Sequence, residues 1–430
     1  MNILELVKKL YPFNYSVTGH GNDSAIEVMC SELDFDVHEY RSGQSLNGWH
    51  IPPEMTVIKA EIRKEGNLVY DGGISPLGVV SQTDNFQGSV TLDELKKHIF
   101  SDEKNMDAIP YHWSRLYRPN EPLWGFCVPA STVETWTDGN YDVDLRVTKS
   151  AATMKVLTYK LPGKSDDTIL LHAHNCHPFQ ANDDISGVAT GIRLMQNLSR
   201  ISERRYSYVL MISPELFGPL YWLNDLDSKD IDHIKGAIML KSVGNNSSLR
   251  LQQSFSGDSV IDTAAHSVMS TNYNTYDWGE FRTIYGNDET VFESPPFNIP
   301  SISLTRWPFP EYHTDRDTPD KIFEDRLADT VNTVFDICMA LEMNICLKPC
   351  FKGLVNLSHY GLYKPVPPVE SEGVNYSSNA GRWNNLMNAL PRLMDRSTGL
   401  IEISQRYELP IIEVYEYVNL WIDEGLAEAC

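Results

Sequence analysis

Residues 168–187 read TILLHAHNCHPFQANDDISG. The run TILLHA has the texture of a strand buried on both faces. It opens into a stretch that crowds His174, Cys176, His177, Asp183 and Asp184 before SGVATGIRLMQNLSRI resumes with helical periodicity. Further strand-like runs follow in SYVLMISPEL, IKGAIMLKSVG and PSISLTR, alternating with the helical patterns DSVIDTAAHSVMS and PDKIFEDRLADTVNTVFDICMALEMN. This alternation predicts an α/β fold with a mixed, mostly parallel sheet sandwiched by helices. In such sheets ligands bind beyond the carboxyl ends of the strands, where the polar stretch falls.

Upstream, NILELVKKLYPF and NDSAIEVMCSEL carry helical spacing, and MKVLTYKLPG reads as a strand. TVIKAEIRKEGNLVYDGG alternates around the turn-prone KEGN, as in a hairpin, and TLDELKKHIF opens on a Thr cap. Residues 50–100 are therefore read as a small β-rich insertion in a catalytic domain of residues 1–49 and 101–349. Residues 350–380, rich in Pro, Gly and Ser, read as a linker. Residues 381–430 resemble a winged helix-turn-helix domain with Leu409 and Pro410 in its turn.

The 58 acidic residues outnumber the 36 basic ones, giving a formal charge of -22 that disfavours nucleic acid and anionic membranes as partners. The tail shares this sign. Between 381 and 430, four arginines stand against eight acidic residues, so packing on protein, a homo-oligomer partner included, is expected there rather than DNA. Seven scattered cysteines without a CxxC, no secretory h-region in MNILELVKKLYPF and no membrane-length apolar run lead to the expectation of a soluble cytoplasmic protein.

Four strand ends deliver ligand-type side chains: His174 with Asp183 and Asp184, then Glu215 in ISPELFG, Lys241 in IMLKSVG, and Tyr312–His313 in EYHTDRDTPD. Carboxylates and imidazoles meeting at one sheet edge form a donor set that Zn²⁺ accepts, and bound zinc brings water to a pKa of about 7. Cys176 between His174 and His177 also raises a thiol nucleophile, although neighbours along an extended strand point to opposite faces.

In this order the pieces resemble the zinc aminopeptidases of the co-catalytic metal clan, which also includes single-zinc glutaminyl cyclases. That clan carries H-x-D, N-D-D/N-x-S-G, E-E-x-G, a strand-end Asp and Y-H-T-x-x-D. RSGQSLNGWHIPPEM, IPYHWSRLYRPNEPLWGFC, HNCHPFQANDDISG and EYHTDRDTPDKI extend the likeness to a bacterial aminopeptidase-like group with a strand-rich insertion and a C-terminal winged helix, often encoded near polysaccharide-biosynthesis genes. The resemblance implies a metal set of His174, Asp183, Glu215 and His313. Three departures stand out: Cys176 for the H-x-D aspartate, Pro214 before Glu215 where the general base is expected, and Lys241 for the strand-end aspartate. With Lys241 beside the bridging carboxylate, a single zinc on Asp183, Glu215 and His313 is expected. Water activation then falls to His177, Glu289 or Asp315, and Tyr312 is placed to polarise a carbonyl. The implied activity is amide hydrolysis in a small peptide, amino-acid derivative or acylated sugar. The alternative is a catalytically silent metal- or ligand-binding scaffold or regulator in surface-polysaccharide assembly.

Overall fold

Thr168–His174 forms a strand in which every residue is buried. It lies inside an eight-stranded sheet comprising β1 (Asp36–Arg41), β2 (Thr153–Leu161), β3 (Thr168–His174), β4 (Ser207–Ser213), β5 (Ile234–Lys241), β6 (Arg250–Gln252), β7 (Asp277–Gly279) and β8 (Ser301–Thr305). The order across the sheet is β1-β2-β4-β3-β5-β8-β6-β7. The central strands β4, β3, β5 and β8 run parallel. Antiparallel pairing joins β1 to β2, β2 to β4, and β6 to β8. The carboxyl ends of the four parallel strands therefore share one rim, which carries Ser213, His174, Lys241 and Thr305.

This sheet belongs to the computed structural model of a chain described at residues 2–364, 377–394 and 397–430. Two units are distinct: Met1–Gly257 with Asp277–Asn332, and Asp258–Tyr276 with Thr333–Cys430. The eight strands all fall in the first. Helix Phe217–Asp225 packs Phe217, Leu220 and Leu223 with Leu170, Met211 and Met239 on one face of the sheet. Helix Ser186–Leu198 covers the other face, where Gly191 sits against Leu210 and Leu240, one residue out of phase along the same strands. Burial on both faces explains why the strands read as unbroken apolar runs.

The insertion extends beyond residue 100. Its four-stranded sheet, ordered Asn67–Asp71, Glu54–Lys64, Asn140–Ser150, Phe86–Thr91, places Asn140–Ser150 between two earlier strands. The signal lies in the alternation of NYDVDLRV, where Tyr141, Val143, Leu145 and Val147 turn inward.

The second unit holds helices Val260–Asn272, Asn379–Leu393, Leu400–Tyr407 and Ile411–Asp423, with Leu347–Pro349 paired to Ala427–Ala429. Glu408, left-handed at φ 49°, ends Leu400–Tyr407, and Leu409–Pro410 lead into the next helix. The expected linker is only partly so: Leu362 is buried in this unit's core and its carbonyl accepts from the Tyr417 hydroxyl, while 365–376 lie outside the described residues. Among the described residues no helix is long and apolar enough to cross a membrane.

Candidate metal centre

The loop after β3 is held by its own side chains. Asn182 Oδ1 accepts from the Gly244 amide at 3.0 Å, and Asp184 accepts from the amides of His174 at 3.2 Å and Ser242 at 3.0 Å. The Ser186 hydroxyl donates to the Asn182 carbonyl and accepts from the Val243 amide. A Cβ on Gly187 would come within 2.1 Å of the Leu240 carbonyl oxygen, so only glycine lets the helix start so close to β5. Asp317, the last residue of the Y-H-T-x-x-D match, accepts from the amides of Asn182 and Asp183 at 2.8 and 2.9 Å. Motifs more than a hundred residues apart thus brace one carboxylate, that of Asp183.

Asp183 is fully buried, and its two oxygens meet different surroundings. On one side Lys241 Nζ lies 2.5 Å from Oδ1 and also contacts His174 Nε2. On the other, Oδ2 lies 3.5 Å from His177 Nε2 and 3.3 Å from His313 Nε2. Burial alone would raise the Asp183 pKa, but Lys241 and the three imidazoles hold it well below the usual carboxylate range. Burial holds His313 down at about 4, and burial together with Lys241 does the same for His174. These imidazoles are therefore neutral at pH 7. His177 Nδ1 lies 3.0 Å from the Pro178 carbonyl. A carbonyl only accepts, so Nδ1 carries a proton there and Nε2 is the ring nitrogen turned toward Asp183. His177 Nε2 and Asp183 Oδ2 are both buried without a hydrogen-bond partner among the described residues. A ring nitrogen without a partner beside a buried carboxylate is placed to ligate a cation.

The geometry fits zinc. Metal–ligand bonds of 2.0–2.1 Å in a tetrahedron put ligand atoms about 3.4 Å apart, close to the 3.3 and 3.5 Å separations here. His177, Asp183 and His313 form one such donor group, while Glu215 falls in another, with His174 and Cys176. Of the expected set, Asp183 and His313 fall in one group and Glu215 in the other, with His177 beside the first two. The reason is local. Gly218 must lie against Ser213, because a Cβ there would meet the serine side chain at 2.3 Å. Counted back from that glycine, Glu215 falls on the first glutamate of E-E-x-G and Leu216 on the second.

Burial pushes Glu215 up to about 8, against the lowering field of Lys241. Glu215 lines a cavity of about 260 Å³ together with His177, Tyr312 and His313. The Tyr312 ring stacks on His313 at 3.8 Å and its hydroxyl lies 2.9 Å from that of Tyr285. Glu289 opens a short helix, Glu289–Phe292, and its carboxylate accepts twice from the Asn287 amide, at 2.8 and 2.9 Å. Asp315 is likewise engaged, accepting from the Ile109 amide at 2.9 Å. Neither joins the donor groups.

Two residues were missed in the sequence. Tyr111, in the stretch IPYHW, stacks on His177 at 4.5 Å and meets His313 edge-on at 5.4 Å. Asp288 accepts from His172 Nε2 at 2.7 Å and from the Leu216 amide at 2.5 Å, tying the loop after β4 to β3. Only the histidine two residues before His174 on the same strand face hints at such a partner.

The fold is that of the zinc aminopeptidases. Zinc aminopeptidase BSAP from Bacillus subtilis superposes with a TM-score of 0.59 at 14% identity, over 78% of this chain and 92% of that one. A Clostridium acetobutylicum protein provisionally described as a peptidase superposes with a TM-score of 0.80 at 24% identity, over 100% and 96%. The chain belongs to the family described as a domain of unknown function, DUF4910, whose model matches residues 4–344. A relative from Clostridium acetobutylicum, provisionally named a polysaccharide biosynthesis protein with an aminopeptidase-like domain, is 30% identical over 345 residues, 80% of this chain and 78% of its own length.

Proposed function

We propose that the chain is a single-zinc hydrolase that cleaves an amide bond in a small substrate. The observation that carries this reading is the meeting of His177 Nε2, Asp183 Oδ2 and His313 Nε2 in one donor group, with Oδ2 at 3.5 and 3.3 Å from the two imidazole nitrogens. Three protein donors leave a fourth position open, as in catalytic rather than structural zinc sites. When bound there, zinc supplies Lewis acidity and water acidified to a pKa of about 7.

Lys241 fills the far side of Asp183, so its ammonium replaces a second cation and holds the carboxylate ionised. Tyr111 and Tyr312 fix the planes of the two imidazoles by stacking. Glu215 faces the same cavity outside the donor triangle, and its pKa of about 8 suits a proton carrier near neutrality. Water oxygen bonds to the carbonyl carbon, Glu215 takes one water proton, and it returns that proton to the leaving nitrogen as the C–N bond breaks. The products are a carboxylic acid and an amine. A cavity that joins donors and proton carrier favours this reading over a silent scaffold in polysaccharide assembly, the role that the relative's name brings to mind.

Elemental analysis of the full chain tests it, alongside cleavage of aminoacyl arylamides and N-acyl amino acids. One zinc per chain is expected, retained in Glu215→Gln with turnover lowered by about 10²–10⁴. Zinc lost in Glu215→Gln but kept in His177→Ala would overturn the ligand set. Zinc without cleavage across both panels would favour the scaffold.

A further inference from the structure

The cavity beside the donor triangle has a wall that the reaction does not use. Trp113, Tyr117 and Phe217 line one part of it and Arg282 lines another. At about 260 Å³ it lies just under the usual range of roughly 300–1,000 Å³ for small-molecule sites, which suits a compact substrate.

Arg282 is held in place by its surroundings and pairs at long range with the buried Glu289. Its backbone is left-handed at φ 58°, a conformation costly for a side chain of this kind. Its guanidinium lies over Gly286, where a Cβ would come within 2.3 Å of Nη2. The loop between them is pinned by Gln252 at the end of β6, whose Oε1 accepts from the amides of Ile284 and Tyr285 at 3.1 and 3.0 Å. Nη1 donates to Thr290 Oγ1, and the nearest carboxylate oxygen, Glu289 Oε1, lies 3.9 Å away, beyond hydrogen-bond reach. The side chain is 45% exposed, so most of its five donors remain for a ligand.

Arg282 is the cation of that wall, since Lys241, whose Nζ lies 4.7 Å from the Tyr285 ring centre, is paired with Asp183. Asp183, Asp288 and Glu289 are already engaged by Lys241, His172 and the Asn287 amide. An ammonium group on the substrate would meet the like charge of Arg282, whereas a carboxylate matches the guanidinium fork.

We propose that Arg282 anchors a carboxylate of the substrate, so that the site takes an N-acylated amino acid, with blocked amine and free acid, rather than a peptide with a free amino terminus. The assignment rests on the hydrolase reading for its reaction, but the anchor can be tested by binding alone. The full-length protein, zinc-loaded and zinc-free, is titrated with N-acetyl-L-phenylalanine, its neutral amide, and L-phenylalanine amide. The acid is expected to bind most tightly. Arg282→Ala is expected to weaken the acid about 10- to 100-fold and leave the neutral amide unchanged, with Arg282→Lys in between. Unfolding midpoints equal to the parent's confirm that the variants fold. The proposal is overturned if the neutral amide binds as well as the acid, if Arg282→Ala binds the acid normally, or if none of the three compounds binds. It is also overturned if Arg282→Ala has no effect in a Glu289→Gln background, because Arg282 would then serve only as counter-ion to Glu289. Acid-selective binding with no cleavage by the zinc-loaded protein would sink the hydrolase reading and leave the anchor standing.

Discussion

The two oxygens of Asp183 sit about 2 Å apart in the same buried carboxylate, yet the chain treats them differently. Toward Oδ1 it supplies its own cation, Lys241. Toward Oδ2 it supplies two imidazole nitrogens. A buried carboxylate needs compensation on both sides. Where the sequence installs an ammonium the need is met permanently, and where it installs imidazoles, common zinc ligands, an ion can meet it. The comparison separates a completed site from an incomplete one within a single residue's reach.

The sharpest way to break the comparison is to remove a donor from the open side. His177→Ala and His313→Ala are each expected to lower zinc affinity more than about 100-fold, read by competition with a fluorescent chelator. Unchanged affinity in His177→Ala would return the third place to Glu215. On the closed side, Lys241→Met leaves Oδ1 without its partner. In metal-free protein it is expected to lower unfolding free energy by about 3–5 kcal/mol in urea titrations, with metal retained on the other side when zinc is added. A neutral result there would mean that Lys241 does not compensate the carboxylate.

A smaller effect tests whether Glu289 belongs to the centre or only to its own loop. Burial raises its pKa from 4.5 to about 7, so the folded chain prefers it protonated. Its contribution is full below pH 4.5 and is lost as pH rises through about 7. Glu289→Gln should match the parent in acid, gain on it through that window by up to about 3 kcal/mol, and stay level above. A gap that closes as pH rises would contradict the assignment.

Much of this was readable in the chain, for reasons that differ by region. The parallel core was legible because strands buried on both faces become apolar runs, as in TILLHA. The NDDISG loop was legible because Asn182, Asp184, Ser186 and Gly187 each meet a backbone need that few other residues meet. Glu215 was visible as a site residue, but its place in E-E-x-G depended on Gly218, whose contact with Ser213 sets the count. His177 lies on a loop without a period, so spacing says nothing of where its ring turns. Tyr111 reaches the centre because Pro110 bridges to Thr314 and its own amide donates to the His313 carbonyl at 2.7 Å, pairings between segments some two hundred residues apart. The insertion's extent was hidden in a late strand, Asn140–Ser150, whose partners Glu54–Lys64 and Phe86–Thr91 lie far back along the chain.

Anomalous scattering at the zinc edge, from crystals of the full chain grown with zinc, tests the asymmetry of Asp183 most directly. A single strong peak is expected, within bonding distance of His177 Nε2, Asp183 Oδ2 and His313 Nε2, with Lys241 still against Oδ1. A second peak between Asp183 and His174, or a single one bound by Glu215 instead of His177, would contradict the account.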